Sequence, residues 1–157
     1  TRYALENIKT MGVALSPCIV PEVGKPTFSI EENKIEIGMG IHGEQGIEVR
    51  DMLKADEIAD LIFSKINEEL ALKSEDEVSV TVNGLGATPL EELYIVYNRI
   101  YKILKEKNVK IIKPHIGEFA TSMEMAGLSI TIFKLNEETK KLLLKEAITP
   151  FYTNVNK

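Results

Sequence analysis

The sequence predicts an α+β domain, a two-layer sandwich in which a mixed β-sheet carries helices packed mainly on one face. Three observations predict it. Glu77 to Val82 and Leu128 to Leu135 alternate apolar with polar residues, the period of a half-buried strand. Two segments, near Ala55 to Leu70 and Pro89 to Lys107, instead repeat apolar residues at three-and-four spacing, the stripe of an amphipathic helix. The strands fall partly in hairpins and partly between helices, which favours this sandwich over a doubly wound sheet.

In chain order, Tyr3 to Met11 reads as a helix ending near Gly12, and Val13 to Leu15 as a short strand. Pro17, Pro21, Gly24 and Pro26 punctuate a loop in which no helix persists. Phe28 to Ile30 reads as a strand, Glu31 to Lys34 as a hairpin turn, and the segment from Lys34 as its partner. Ile47 to Leu53 reads as irregular. The helix from Ala55 sets Ile58, Leu61, Ile62, Ile66 and Leu70 on one face, with Glu57, Asp60, Lys65 and Glu68 opposite. After the Glu77 strand, Thr88, Pro89 and Glu91 have the spacing of a capping box. The helix that follows aligns Leu90, Leu93, Tyr94, Tyr97, Ile100, Tyr101 and Leu104. Val109 to Ile112 and Leu128 to Leu135 are further strands; a short helix, Glu137 to Lys145, precedes a polar tail expected to be poorly ordered.

The 157 residues are read as a single domain, 1–157, large enough to bury a core. A net charge of -5 with no basic run argues against a nucleic-acid partner. No apolar run approaches the roughly eighteen residues of a membrane span, and no segment reads as a signal peptide. The lone Cys18 forms no internal disulfide, which fits a cytoplasmic location, and it reads as a packed small hydrophobe. Two histidines, one cysteine and no paired-ligand spacing make a metal site improbable. The abrupt start at Thr1 suggests a piece of a longer protein.

The stretch with chemical character is Lys34 to Gly46, K-I-E-I-G-M-G-I-H-G-E-Q-G. Ile35, Ile37, Met39 and Ile41 alternate with Glu36, Gly38, Gly40 and His42. If the strand runs to its end, His42 shares a face with two glycines. Glycine within a strand marks close approach of a ligand or another backbone. Gly40, Gly43 and Gly46 then imply a sharply turning loop. Gly38 to Gly43 also spells G-x-G-x-x-G, but the next helix starts too far on and Asp60 lies inside it, so a dinucleotide site is rejected. The Gly84 to Thr88 loop is either a tight strand-to-helix turn or a contact for phosphate or a partner. His115, after Pro114, reads as surface or packed. Glu118 and Glu124 form an acidic pair only if the fold unites them.

Three blocks in order, G-M-G-I-H-G-E-Q-G-I, V-N-G-L-G-A-T-P-L-E-E-L-Y and T-S-M-E-M-A-G-L-S-I-T-I-F-K-L, together with the earlier V-A-L-S-P-C-I-V-P-E-V-G-K-P-T-F, resemble the dihydroxyacetone (glycerone) kinase substrate-binding subunit. The resemblance is to its second, C-terminal half. Gln45 stands where proline is expected and Ala87 where glycine is common. The resemblance implies that His42 holds dihydroxyacetone as a covalent hemiaminal, with Gly40 and Gly43 beside the substrate. It places no cofactor in this chain; ATP or ADP with Mg belongs to a helical nucleotide-binding subunit or domain. It further implies that an N-terminal α/β domain with an essential aspartate completes the subunit, and that the fragment alone is inactive. A homodimer, or a docking surface for the missing domain, is expected. A rival reading is a dihydroxyacetone-sensing relative that co-activates a transcription regulator; a third is an assembly domain with His42 incidental.

Overall fold

A computed structural model describes all of the chain except Val20, Val23, Thr27, His42, Gly43, Asn156 and Lys157. Its elements are α1 (Arg2–Asn7), β1 (Ile8–Ala14), β2 (Lys34–Ile37), β3 (Glu48–Asp51), α2 (Ala55–Leu70) and β4 (Glu77–Gly84). They continue with α3 (Leu90–Glu106), β5 (Lys110–Gly117), β6 (Gly127–Lys134), α4 (Glu137–Leu143), β7 (Ala147–Ile148) and β8 (Thr153–Asn154). Six strands form one sheet in the order β3-β2-β1-β6-β4-β5. The β4–β5 pair is parallel, and the other neighbours are antiparallel.

The expected sandwich is borne out. Val78, Val80 and Val82 of β4 and Ile130 and Ile132 of β6 are fully buried, and they share a core with Ile62, Ile66, Leu93, Ile100 and Leu104 of α2 and α3. Burying each such side chain stabilises the fold by about 1.5–3 kcal/mol. Arg99 of α3 bonds Asp60 of α2 through two guanidinium nitrogens, at 2.7 and 3.0 Å, tying the two helices together outside that core. On α3 the buried stripe is Leu93, Val96, Ile100 and Leu104. Leu90, Tyr94 and Tyr101, expected in it, are about half exposed.

Several elements differ from expectation. The first helix stops at Asn7, because residues 8–14 pair antiparallel with residues 133–127 of β6. That ladder outweighs the local helical spacing of Leu5, Ile8 and Met11. Phe28 to Ile30 is no strand; the two apolar residues pack instead on a small cluster of Ala14, Cys18, Met39, Leu85 and Met125. The turn at Glu31 to Lys34 forms, with Lys34 N–H donating to the Glu31 carbonyl at 3.1 Å. β2 then pairs with β1 on one side and β3 on the other. β3 lies where irregular chain was expected, since an edge strand exposed along most of its length carries no apolar alternation. The third predicted strand runs on through His115 to Gly117. The tail folds into the β7–β8 hairpin, with Asn154 Nδ2 donating to the Leu143 and Lys145 carbonyls that end α4.

Thr88 does not cap α3, which takes Pro89 as its N-cap and has no side-chain cap bond. The Thr88 hydroxyl donates to the Gly127 carbonyl at 2.7 Å and accepts from the Gly127 N–H at 2.8 Å. It joins the turn before α3 to the start of β6. Thr88→Val keeps the shape but strands two buried backbone groups. The expected loss is about 1–3 kcal/mol, read from the urea midpoint.

Candidate functional site

The face of the sheet away from α2 and α3 carries a groove. The same alternation that buries the valines of β4 turns Ser79, Thr81 and Asn83 the other way, and β6 contributes Ser129 and Thr131. Thr10 of β1 and Thr81 of β4 both pair with Thr131, and the Thr10 and Thr131 hydroxyls lie 2.8 Å apart. The next rung is Gly12, Ser129 and Asn83. This floor underlies a cavity of about 570 Å³.

One wall is the connection between β2 and β3, residues 38–47. β2 stops at Ile37, because Gly38 takes a left-handed φ of +78°. The strand expected to continue through Met39 and Ile41 therefore ends at Ile37. Gly38 N–H donates to the Gly12 carbonyl at 2.7 Å, Gly40 N–H to the Glu44 carbonyl at 3.2 Å and Ile47 N–H to the Ile37 carbonyl at 2.8 Å. A Cβ on Gly40 would stand 2.1 Å from a Glu44 carboxylate oxygen, so a side chain there would displace that of Glu44. His42 and Gly43 lie outside the described residues. Ile41 and Glu44, on either side of them, line the groove.

The opposite wall is Phe119 and Ala120, held by one buried side chain. Asn83 Oδ1 accepts from the N–H groups of Phe119 and Ala120 at 2.8 and 2.9 Å. Its Nδ2 donates to the Ala120 carbonyl at 2.8 Å and to Ser129 Oγ at 3.3 Å. Sequence reasoning missed Asn83 and the threonine floor. Their signal was the polar half of the two alternating strands, which becomes a surface only once the register sets β1, β6 and β4 side by side.

The other candidates resolve structurally. Residues 38–43 lead into the rest of this loop and β3, and the next helix begins only at Ala55. In the Gly84 to Thr88 loop, Leu85 and Ala87 N–H groups donate to the Gly127 and Met125 carbonyls, so two donors an anion would need are already used. No group of three or more His, Cys, Asp or Glu suited to a metal occurs among the described residues. Cys18 is buried, with the Ser122 hydroxyl 3.5 Å from its sulfur. Glu124 accepts from Ile19 N–H at 2.6 Å, while Glu118 lies beside Gly84.

His115 packs edge-on to Phe119, with Nε2 2.9 Å from the Tyr152 hydroxyl. Burial, aided by the Lys113 charge, holds its pKa below the ordinary 6.5. A group that is easier to protonate unfolded than folded contributes stability that is intact above the unfolded pKa. That stability is lost as pH falls from 6.5 toward the folded value. Thermal midpoints should drop across this window, and His115→Phe should flatten the slope.

The glycine-rich loop and the hydroxyl floor together shape a concave groove of the kind that small ligands occupy. The chain belongs to the Dak1 domain family, whose model matches residues 1–151. It is 45% identical over 141 residues to the PTS-dependent dihydroxyacetone kinase 1, dihydroxyacetone-binding subunit DhaK, of Listeria innocua. That match covers 90% of this chain and 43% of the relative, so the chain spans somewhat under half of that subunit. Among solved structures it resembles the dihydroxyacetone kinase operon co-activator DhaQ, with a TM-score of 0.82 at 30% identity, over 92% of this chain and 46% of that one. It also resembles the dihydroxyacetone kinase from C. freundii in complex with AMP-PNP and Mg2+. There the TM-score is 0.77 at 26% identity, over 99% of this chain and 31% of that one.

Proposed function

We propose that this chain is the C-terminal half of the dihydroxyacetone-binding subunit of a cytoplasmic dihydroxyacetone kinase, and that His42 holds the ketone as a hemiaminal for phosphorylation. The observation that carries the reading is the groove. Family membership supplies the substrate class, and Ile41 and Glu44, on either side of His42 and Gly43 in the chain, line a cavity on the sheet face away from the helices. In the addition, the lone pair of a neutral imidazole nitrogen attacks the carbonyl carbon and the C=O π pair moves to oxygen. That oxygen gains a proton, the other ring nitrogen loses one, and nothing leaves. The same reading sets Gly40 and Gly43 beside the bound ketone. The adduct fixes the ketone with a terminal hydroxyl presented, a positioning role distinct from acid–base chemistry.

The nucleotide, ATP as donor or ADP as a cofactor recharged by a phosphotransferase protein, belongs with Mg on a helical partner subunit or domain, and an N-terminal domain of the same subunit completes the pocket. Half-exposed Tyr94, Tyr101 and Phe119 and fully exposed Phe151 offer apolar surface for such a neighbour or for a second copy. This chain alone is expected to turn over no ketone. The complete subunit with its nucleotide-binding partner should phosphorylate dihydroxyacetone; turnover by the isolated chain overturns the division of labour. The likeness to a co-activator favours a second reading, a ketone sensor bound to a transcription regulator. Affinity capture with the complete subunit separates the two, because a helical nucleotide-binding protein supports the kinase and a DNA-binding regulator supports the sensor.

A further inference from the structure

A buried carboxylate stands behind the loop that carries His42. Glu36 lies on β2 between Ile35 and Ile37, whose side chains enter the core under the helices, and it faces the other side of the sheet. It is only 9% exposed. A carboxylate withdrawn from water is costly unless it is hydrogen-bonded. Its Oε1 accepts from the N–H of Gly46 at 2.6 Å, a charge-assisted bond.

Gly46 is fitted to that carboxylate. A Cβ there would stand 2.5 Å from Glu36 Cγ, 2.6 Å from the Ile37 carbonyl oxygen and 2.9 Å from Glu36 Oε1. The next residue, Ile47, rejoins β2 through its N–H bond to Ile37. The returning arm of the loop is thus held by two consecutive N–H groups, one on a strand carbonyl and one on a side chain. The outgoing arm is fixed by Gly38 on Gly12. Between the two anchors, Gly40 N–H donates to the Glu44 carbonyl. Of these anchors Glu36 alone uses a side chain, so it alone can be removed without altering the backbone.

We propose that Glu36 is a positioning residue for substrate capture: its carboxylate pins Gly46 and so holds the 38–47 loop in the conformation that presents His42 to the ketone. This rests on the reading of His42 given above. What the position requires is an acceptor of the right length and volume, so glutamine suffices and leucine does not.

The test uses the complete subunit with its nucleotide-binding partner, dihydroxyacetone labelled with carbon-13 at the carbonyl, and the variants Glu36→Gln, Glu36→Leu and Gly46→Ala. Glu36→Leu and Gly46→Ala should each raise KM for dihydroxyacetone about tenfold to a hundredfold, the scale of a misplaced reacting group. The tetrahedral adduct signal should weaken in parallel, while kcat changes far less. Glu36→Gln should stay within about twofold of wild type, which loss of charge alone would not permit. Amide exchange at Gly46 should be slow in wild type and Glu36→Gln and fast in Glu36→Leu. If Glu36→Leu is too unstable to assay, Gly46→Ala must show the same KM effect. Unchanged KM and adduct in Glu36→Leu or, failing that, in Gly46→Ala, or equal damage from Glu36→Gln, overturns the proposal. A wild-type subunit that forms no adduct overturns the reading of His42, and this inference with it.

Discussion

Replacing His42 by alanine in the complete subunit is expected to abolish the covalent ketone adduct and to lower kcat/KM for dihydroxyacetone by about a hundredfold or more. The size follows from what the bond supplies. Dihydroxyacetone has few atoms with which to bind, and non-covalent contacts to so small a ligand are weak. A covalent tether replaces that deficit and fixes orientation at once. It also selects by chemistry, because glycerol has nearly the same shape and hydroxyls but no carbonyl to attack. His42→Ala should therefore erode discrimination against glycerol as well as affinity. Calorimetric titration with dihydroxyacetone and with glycerol checks both statements. Unchanged ketone affinity and unchanged rejection of glycerol in the variant contradict them.

Gly86→Ala is expected to destabilise the chain by about 3 kcal/mol or more, a large share of the roughly 5–15 kcal/mol that keeps an ordinary domain folded. Gly86 sits at φ +129°, and a Cβ there would lie 1.7 Å from the Met123 carbonyl oxygen and 2.8 Å from its carbon. Both are backbone atoms of a segment that Ser122 N–H ties to the Leu85 carbonyl and Ala87 N–H ties through Met125, so neither yields cheaply. Gly24→Ala is the control: φ is +62°, but nothing lies within 4 Å of the new atom. Its cost is the conformational one alone, about 1 kcal/mol. Urea midpoints of the two variants separate a steric requirement from a torsional one. Equal shifts would remove the close packing of residues 85–87 against 122–125 as the cause.

The fold was most legible where burial follows a simple period. β4, β6, α2 and α3 each bury one face, so their apolar spacing shows in the chain. β3 escaped because an edge strand of Glu48, Val49, Arg50 and Asp51 has no buried face to write an alternation. Only the end of β1, Val13 and Ala14, was legible as strand; its first residues hold helical spacing, and their strand character comes from β6, remote in sequence. Thr88 matched a cap, yet its hydroxyl found a better use at Gly127, since a partner forty residues away leaves no local signature. For the site, the glycine-rich histidine loop stood out by composition. The reason for two of its glycines did not: Gly38 is needed by its φ, and a Cβ on Gly46 would meet the Ile37 carbonyl oxygen and the Glu36 side chain. Asn83, spending three hydrogen bonds on one wall and a fourth on Ser129 of the floor, was invisible because asparagine on the polar face of a strand carries no message by itself.

The most direct measurement is a carbon-13 spectrum of the complete subunit saturated with dihydroxyacetone labelled at the carbonyl, beside the His42→Ala variant. Wild type should show a bound resonance moved from the ketone region to that of a tetrahedral carbon bearing oxygen and nitrogen, and the variant should show none. A bound signal that stays in the ketone region in wild type, or a tetrahedral signal that survives in His42→Ala, would contradict covalent capture by this histidine.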